Sequence, residues 1–375
     1  MLKKLLLILA AAVSAQGFVL GAEYTQADID SGKVLANLSK TAYENAMSRL
    51  GSSTSGCNKA NVKVRKEWRN MPAADRIAYR KAIECIMEQK SVYTDAPGAK
   101  STWDDFGVLH YKQTPYTHYS ATFLLWHRYY IQVLEDNLRD KCGYQGTMPY
   151  WEWGLDCADV DKSPVFDGSE TSLGSNGEFI GKHRAIFGAG GTGGGCVKKG
   201  PFANYTVNIG PVEAADPLKY NPRCLKRDLN GDICSKWASL RNATDPILNS
   251  KNIEVFQAVL QADGRVPEAR SLGLALHGGG HYTISGDPGG DFYFSPLEPG
   301  FYLHHGQLDR LHFIWQNLDW KNRQTIAGTN TMYNQPPSAN ATLDDIQDMA
   351  PLGGNRTLRE LMDTIGGTPH CYVYE

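Results

Sequence analysis

The chain has 375 residues, 42% of them apolar and 21% charged, with a formal net charge of −2 at pH 7. That length can bury a large core in one or two domains. The charge balance offers no basic stripe for neutralising phosphates, which argues against a nucleic-acid partner and favours small neutral ligands.

The first predicted element, residues 1–22, reads as a secretory signal peptide: Lys3 and Lys4 give a positive start, Leu5 to Val13 an apolar run, and small residues offer cleavage at 15/16 or 22/23. The apolar run is too short to span a bilayer, so no membrane association is expected. Residues 23 to 95 show apolar positions at helical spacing. Further on, His127, Ile131, Leu134 and Leu138 are spaced i, i+4, i+7, i+11 and share one helix face, which turns the imidazole inward. From Asp167 to Asp232 the chain is rich in Gly, Asn and Pro, including Gly188 to Gly195, and reads as long loops stapled by disulfides. Ile253, Phe256, Val259 and Leu260 begin a third helical pattern, and Leu308, Leu311, Trp315 and Leu318 mark a fourth that runs on from His305.

The eight cysteines (57, 85, 142, 157, 196, 224, 234 and 371) are an even number. Five N-x-S/T sequons begin at Asn37, Asn204, Asn242, Asn340 and Asn355, the candidate N-glycan sites. Both features agree with a secreted, disulfide-bonded, glycosylated protein. Eight cysteines permit 105 pairings, and Cys57 with Cys85 is the expected first pair because they bracket one predicted helical segment.

Six of the ten histidines fall into two groups of three: His110, His118 and His127, then His277, His281 and His305. No Asp or Glu shares their spacing. Neutral imidazole suits copper, zinc, iron or nickel, whereas calcium, magnesium and manganese prefer oxygen, so an all-imidazole pair of sites points first to copper. If the triads work together, residues 100 to 315 must converge on one centre. That predicts a single domain over 23–375, mainly α, in which four helices with inward histidines form a bundle around a dinuclear metal site.

In His277-Gly-Gly-Gly-His281 the i, i+4 spacing places both rings on one side of a helix. Each glycine costs such a helix about 1 kcal/mol against alanine, so space for a substrate or a neighbouring helix is the expected compensation. In the pair His304-His305, one or both could be ligands. A ligating imidazole usually gives its second N–H to a carboxylate, and Asp309 stands four residues beyond His305 on the same helix face, which selects His305 and leaves His304 a supporting role. His183, His312 and His370 are expected to be ordinary packed or hydrogen-bonded residues.

Two stretches resemble the copper signatures of the tyrosinase and catechol oxidase family, particularly its short secreted fungal members. Phe123-Leu-Leu-Trp126-His127-Arg128-Tyr129-Tyr130, with Glu135 beyond, is similar to the first, and Ser295-Pro-Leu-Glu298-Pro-Gly-Phe-Tyr-Leu-His304-His305-Gly-Gln-Leu-Asp309-Arg310 to the second. The middle stretch Gly195-Cys196-Val-Lys-Lys-Gly200-Pro201-Phe202, with Asn208-Ile-Gly-Pro211 and Cys224-Leu-Lys-Arg227, is similar to the fungal branch. The resemblance covers most of residues 55 to 320.

It implies a tyrosinase-like bundle holding two copper ions, copper A on His110, His118 and His127 and copper B on His277, His281 and His305. In that family the metal pair reduces dioxygen while diphenols become o-quinones, and the protein supplies geometry and cavity. The resemblance further implies that Glu268, nine residues before His277, could hold a water that deprotonates phenols. Gly278 stands where efficient monophenol hydroxylases carry an asparagine, so strong monophenolase activity is not expected. Phe292 corresponds to the gate residue above copper A. Tyr116 and Thr117 precede His118 where many relatives carry a cysteine bonded to that histidine, so no thioether is expected there. Glu298-Pro299 replaces the usual Asp-Pro, and Tyr372-Val-Tyr374 resembles the motif that closes the family's catalytic core, with no large shielding domain expected after it.

The expected activity is therefore oxidation of o-diphenols, with some monophenols or o-aminophenols, to o-quinones by O2. A haemocyanin-like dioxygen-binding protein without turnover is the alternative from another class. A zinc hydrolase would call for a carboxylate at the metals.

Overall fold

The protein is described by a computed structural model covering residues 24–50, 56–185 and 187–375. The expected signal peptide lies outside the described residues. Eleven helices occur among them: α1 (Gln26–Asp30), α2 (Lys33–Leu50), α3 (Ala73–Glu88), α4 (Thr102–Thr117), α5 (Phe123–Cys142), α6 (Gly231–Trp237), α7 (Leu240–Asn249), α8 (Ile253–Gln261), α9 (Ala275–Ile284), α10 (Gly300–Leu318) and α11 (Leu358–Leu361). Strands are short and pair two by two: β1 (Lys63–Arg65), β2 (Gly177–Phe179), β3 (Arg184–Ala185), β4 (Gly188–Ala189), β5 (Gly194–Val197), β6 (Thr206–Val207), β7 (Arg223–Cys224), β8 (Ile346–Gln347), β9 (Arg356–Thr357) and β10 (Tyr372–Tyr374). No helix among the described residues is long and apolar enough to cross a membrane.

The fold is mainly helical, a four-helix bundle of α4, α5, α9 and α10 wrapped by disulfide-stapled loops. Every residue of α10 is buried. A helix enclosed on all sides has to pair most of its polar groups internally, and in α10 Asp309 meets Arg128 of α5, Arg310 meets Glu152, and Asn317 donates to the Phe313 carbonyl. Local sequence sets the ends of the other bundle helices. A Ser101–Asp104 capping box starts α4, and Gly143 closes α5 in the left-handed conformation (φ 67°), its amide returning to the Arg139 carbonyl.

Two expectations about the elements are corrected. Residues 23–95 are not continuously helical, because β1 and a 3-10 turn at Trp68–Asn70 interrupt α2 and α3. The helix beginning at Ile253, α8, carries no histidine and packs outside α9; the bundle member is α4. Residues 102 to 110 of α4 are all buried. A helix enclosed on every side shows no apolar stripe, so periodicity could not reveal it.

The disulfides are Cys57–Cys371, Cys85–Cys142, Cys157–Cys234 and Cys196–Cys224. The expected Cys57–Cys85 pair is therefore wrong. Strand β10 pairs in parallel with β1, with Lys63 opposite Tyr372 and Arg65 opposite Tyr374, and this carries Cys371 to Cys57. Helix α3 packs on α5, which brings Cys85 to Cys142.

The same β1–β10 pairing inserts Tyr372 and Tyr374 into the core. Their hydroxyls donate to Asp309 Oδ2 at 2.6 and 2.7 Å, while Arg128 Nε donates to Oδ1 at 2.6 Å. Arg65 lies over the Tyr372 ring at 3.6 Å and also bonds Glu135. A second buried pair joins the glycine-rich loops to the entry of α10: Arg227 holds both oxygens of Glu298 at 2.9 and 2.7 Å. Glu298 thus fills the place of the usual Asp with a two-pronged ion pair.

Candidate metal centre

Each histidine triad is assembled by the bundle. His110 sits on α4, and His118 follows its last turn in extended conformation (φ −118°, ψ 145°). Pro115 lies in that turn and removes an amide from the helix ladder. His127 comes from the first turns of α5, His277 and His281 from α9, and His305 from α10.

In the first triad every Nδ1 faces a backbone carbonyl: His110 that of Tyr293 at 2.8 Å, His118 that of Thr114 at 3.2 Å, His127 that of Phe123 at 2.8 Å. A carbonyl only accepts, so each Nδ1 carries the proton and each Nε2 offers a lone pair. The Nε2 atoms of His110 and His127 are buried without a hydrogen-bond partner. Buried acceptors without partners are costly unless something binds them.

The second triad converges more closely. His281 Nε2 lies 3.1 Å from His277 Nε2 and 3.3 Å from His305 Nε2. A tetrahedral ion bonded to imidazole at ~2.0–2.1 Å, the value for zinc, would separate its nitrogens by about 3.3 Å. The donor set therefore fits a metal ion. Burial holds all six imidazoles neutral: it lowers the pKa of His110 to about 4 and of His281 to about 3, and those of His118, His127, His277 and His305 well below the usual value. Neutral imidazole is the form that ligates.

The triads face each other. The rings of His118 and His277 are 5.6 Å apart, and those of His127 and His305 are 4.4 Å apart and nearly parallel. Phe123, Trp126 and Phe301 are buried in ring contact with these histidines. All eight cysteines are in disulfides, so none is left to bond His118.

The other sequence-selected residues separate into two groups. Phe292 lies over the first triad, its ring 4.6 Å from that of His118, and Gly278 lines the same cavity of about 190 Å³ above the histidines. Glu268 does not reach the site. It is exposed, bonds Lys251 at 3.2 Å and borders a different cavity near Trp237 and Leu276, so its expected role as base is corrected. The 3-10 turn Pro267–Ala269 sends it outward.

Asp309 corrects the second expectation. Both its oxygens are taken by Arg128, Tyr372 and Tyr374, and His305 Nδ1 has no hydrogen-bond partner. The choice of His305 over His304 rests instead on the convergence of nitrogens. His304 belongs to the same four-histidine group but packs between Trp153 and the α9 glycines, and neither of its nitrogens makes a hydrogen bond.

The α9 glycines are explained by their neighbours. A Cβ at Gly280 would collide with the His304 ring, and one at Gly279 would come within 3.0 Å of the Trp237 main chain. Gly278 faces the cavity, where a Cβ meets only Leu274 at 3.2 Å.

Sequence reasoning missed Tyr119, Tyr282, Phe187 and Asp291, which line the cavity with Phe292. Tyr119 and Tyr282 directly follow His118 and His281, a signal that was available. Phe187 on the β3–β4 turn reaches Tyr282 at 4.6 Å between ring centres, and nothing local foretells that. Tyr119 has φ 47° and is held there by Gln261, Arg265 and a stacked Tyr333.

Comparison with known proteins agrees with this geometry. The family described as the common central domain of tyrosinase matches residues 100–318. Tyrosinase P of Aspergillus terreus is 34% identical over 334 residues, covering 83% of this chain and 91% of its own. The N-acetyl-6-hydroxytryptophan oxidase ivoB of Emericella nidulans is 35% identical, covering 85% and 94%. The solved structure of a mutant polyphenol oxidase from Thermothelomyces thermophila superposes with a TM-score of 0.83 at 35% identity, covering 92% of this chain and 98% of that one.

Proposed function

This chain belongs to the tyrosinase family, and from that premise we propose that it is a secreted dicopper oxidase that converts o-diphenols, and some monophenols or o-aminophenols, to o-quinones. The observation that carries the reading is the meeting of two all-imidazole triads, with His127 and His305 in ring contact across the centre. In the proposal His110, His118 and His127 hold one copper and His277, His281 and His305 the other. When bound, the copper pair supplies the electron transfer between phenol and dioxygen, so that two diphenols and one O2 give two o-quinones and two waters.

The protein's own groups prepare that reaction. The Tyr293, Thr114 and Phe123 carbonyls fix the tautomers of the first triad and aim the Nε2 lone pairs inward. Phe292, beside His118, is proposed as the gate against which the phenol ring rests. Gly278 leaves the space next to His277 open, and without a polar side chain there diphenols are favoured over monophenols.

The catalytic domain is proposed to span residues 23–375 after removal of the signal peptide. Asn37, Asn204, Asn340 and Asn355 are exposed and suit glycosylation, whereas the Asn242 side chain is engaged in the α7 capping box. Relatives with different names, a tyrosinase and an N-acetyl-6-hydroxytryptophan oxidase, support phenolic substrates as a class. The test is oxygen consumption by copper-loaded protein with a panel of catechols and monophenols, read together with quinone absorbance. Oxygen uptake with quinone formation is expected. Reversible oxygen binding with no quinone would instead favour a carrier.

A further inference from the structure

We infer that the cavity selects phenols bearing an ammonium side chain over phenols bearing a carboxylate, an inference that rests on the oxidase reading above. The walls above the histidines are aromatic: Tyr119, Phe187, Tyr282 and Phe292. Among the described residues Asp291 is the one charged side chain that lines the cavity, and no lysine or arginine does.

Asp291 is a fixed negative charge. Its oxygens accept from the amides of Val212 at 2.8 Å, Tyr293 at 2.8 Å and Phe294 at 3.1 Å, so it cannot swing away; partial burial raises its pKa above the usual carboxylate value, and these three donors oppose that rise. Glu213 follows Val212, whose amide bonds Asp291, and is exposed.

Two arginines of the flanking segments, Arg265 and Arg223, are already paired. Arg265 sits over Tyr333, behind Tyr119, and is paired with Asp263 at 2.6 Å. Arg223 is held by Asp287 at 2.6 Å. A substrate ammonium at this mouth gains from the aromatic faces and from Asp291. A substrate carboxylate meets the same faces and the same negative charge with no cation among the described lining residues.

The experiment compares three catechols that differ in side-chain charge: dopamine, 4-methylcatechol and dihydrocaffeate. Initial oxygen uptake is measured on the copper-loaded protein at low and high salt. The expected order of kcat/KM is dopamine, then 4-methylcatechol, then dihydrocaffeate, with ~10-fold between the extremes at low salt, carried mainly by KM and shrinking at high salt. Glu213→Gln should reduce the dopamine-to-dihydrocaffeate ratio by about twofold. Equal or better use of dihydrocaffeate, or a ratio unmoved by both salt and Glu213→Gln, overturns the inference while leaving the oxidase reading intact. Oxidation of none of the three overturns both.

Discussion

His127 and His305, 178 residues apart in the chain, stack with ring centres 4.4 Å apart and planes 12° from parallel. Each belongs to a different triad, so their contact is the seam between the two proposed metal positions. In the proposal, replacing either removes a ligand from one position and a packing partner from the other. His127→Ala and His305→Ala are each expected to lose copper from the affected triad and to abolish oxygen uptake. Metal analysis alongside the oxygen electrode checks this, and turnover retained by either variant would strike that residue from the ligand set.

The α9 glycines separate packing from chemistry. Gly280→Ala must push a Cβ into His304, so overpacking of about 1–3 kcal/mol is expected despite the better helix propensity of alanine. Thermal melting measures it. At Gly278 an added Cβ requires Leu274 to give by a few tenths of an ångström, and the expectation for Gly278→Asn is a folded protein with a higher ratio of monophenol to diphenol oxidation. An unchanged ratio would remove the argument that a polar group at this position favours monophenols.

Phe292→Ala should broaden the range of accepted phenols, because its ring covers the His118 side of the cavity. Relative rates for small and bulky catechols are the readout. Equal relative rates in the variant and the parent protein would show that Phe292 is core packing and not a gate.

Asp309 governs acid stability. Burial alone would raise its pKa, but Arg128 and Arg65 and the tyrosine hydroxyls hold it down to about 2. A carboxyl whose folded pKa lies below its unfolded value stabilises the fold above the ordinary range near 4, and that contribution is lost as pH falls toward 2. Glu135, also at about 2 against Arg65 and Lys63, adds in the same window. Asp309→Asn is expected to cost roughly 3–5 kcal/mol at neutral pH, because it leaves Arg128 buried without its counter-charge. Its stability should then fall less between pH 4 and 2 than that of the parent. Urea unfolding across that window tests both parts.

Much of the site was legible because metal ligation restricts residue type more than it restricts fold. Imidazoles at 110, 118, 127, 277, 281 and 305 named the donor set, and the i, i+4 pair at His277 and His281 needed no tertiary information. The helical patterns of α5 and α10 showed as well. Helix α4 did not, because enclosure of residues 102–110 on all sides erases the periodic contrast between apolar and polar positions there. Glu268 and Asp309 were chosen by spacing alone, and spacing does not say whether a turn sends a carboxylate outward or whether a tail from the end of the chain claims it first.

Chemical identity was thus determined by the sequence itself: which side chains can bind metal, where helices run along one face, and which cysteines are available to pair. Tertiary structure decided which of these meet. The β1–β10 pairing set Cys57 against Cys371 and gave Asp309 to Tyr372 and Tyr374, and the β3–β4 turn brought Phe187 to the mouth of the cavity. Those are contacts between distant segments, fixed by how whole elements pack, and no local pattern of residues encodes them.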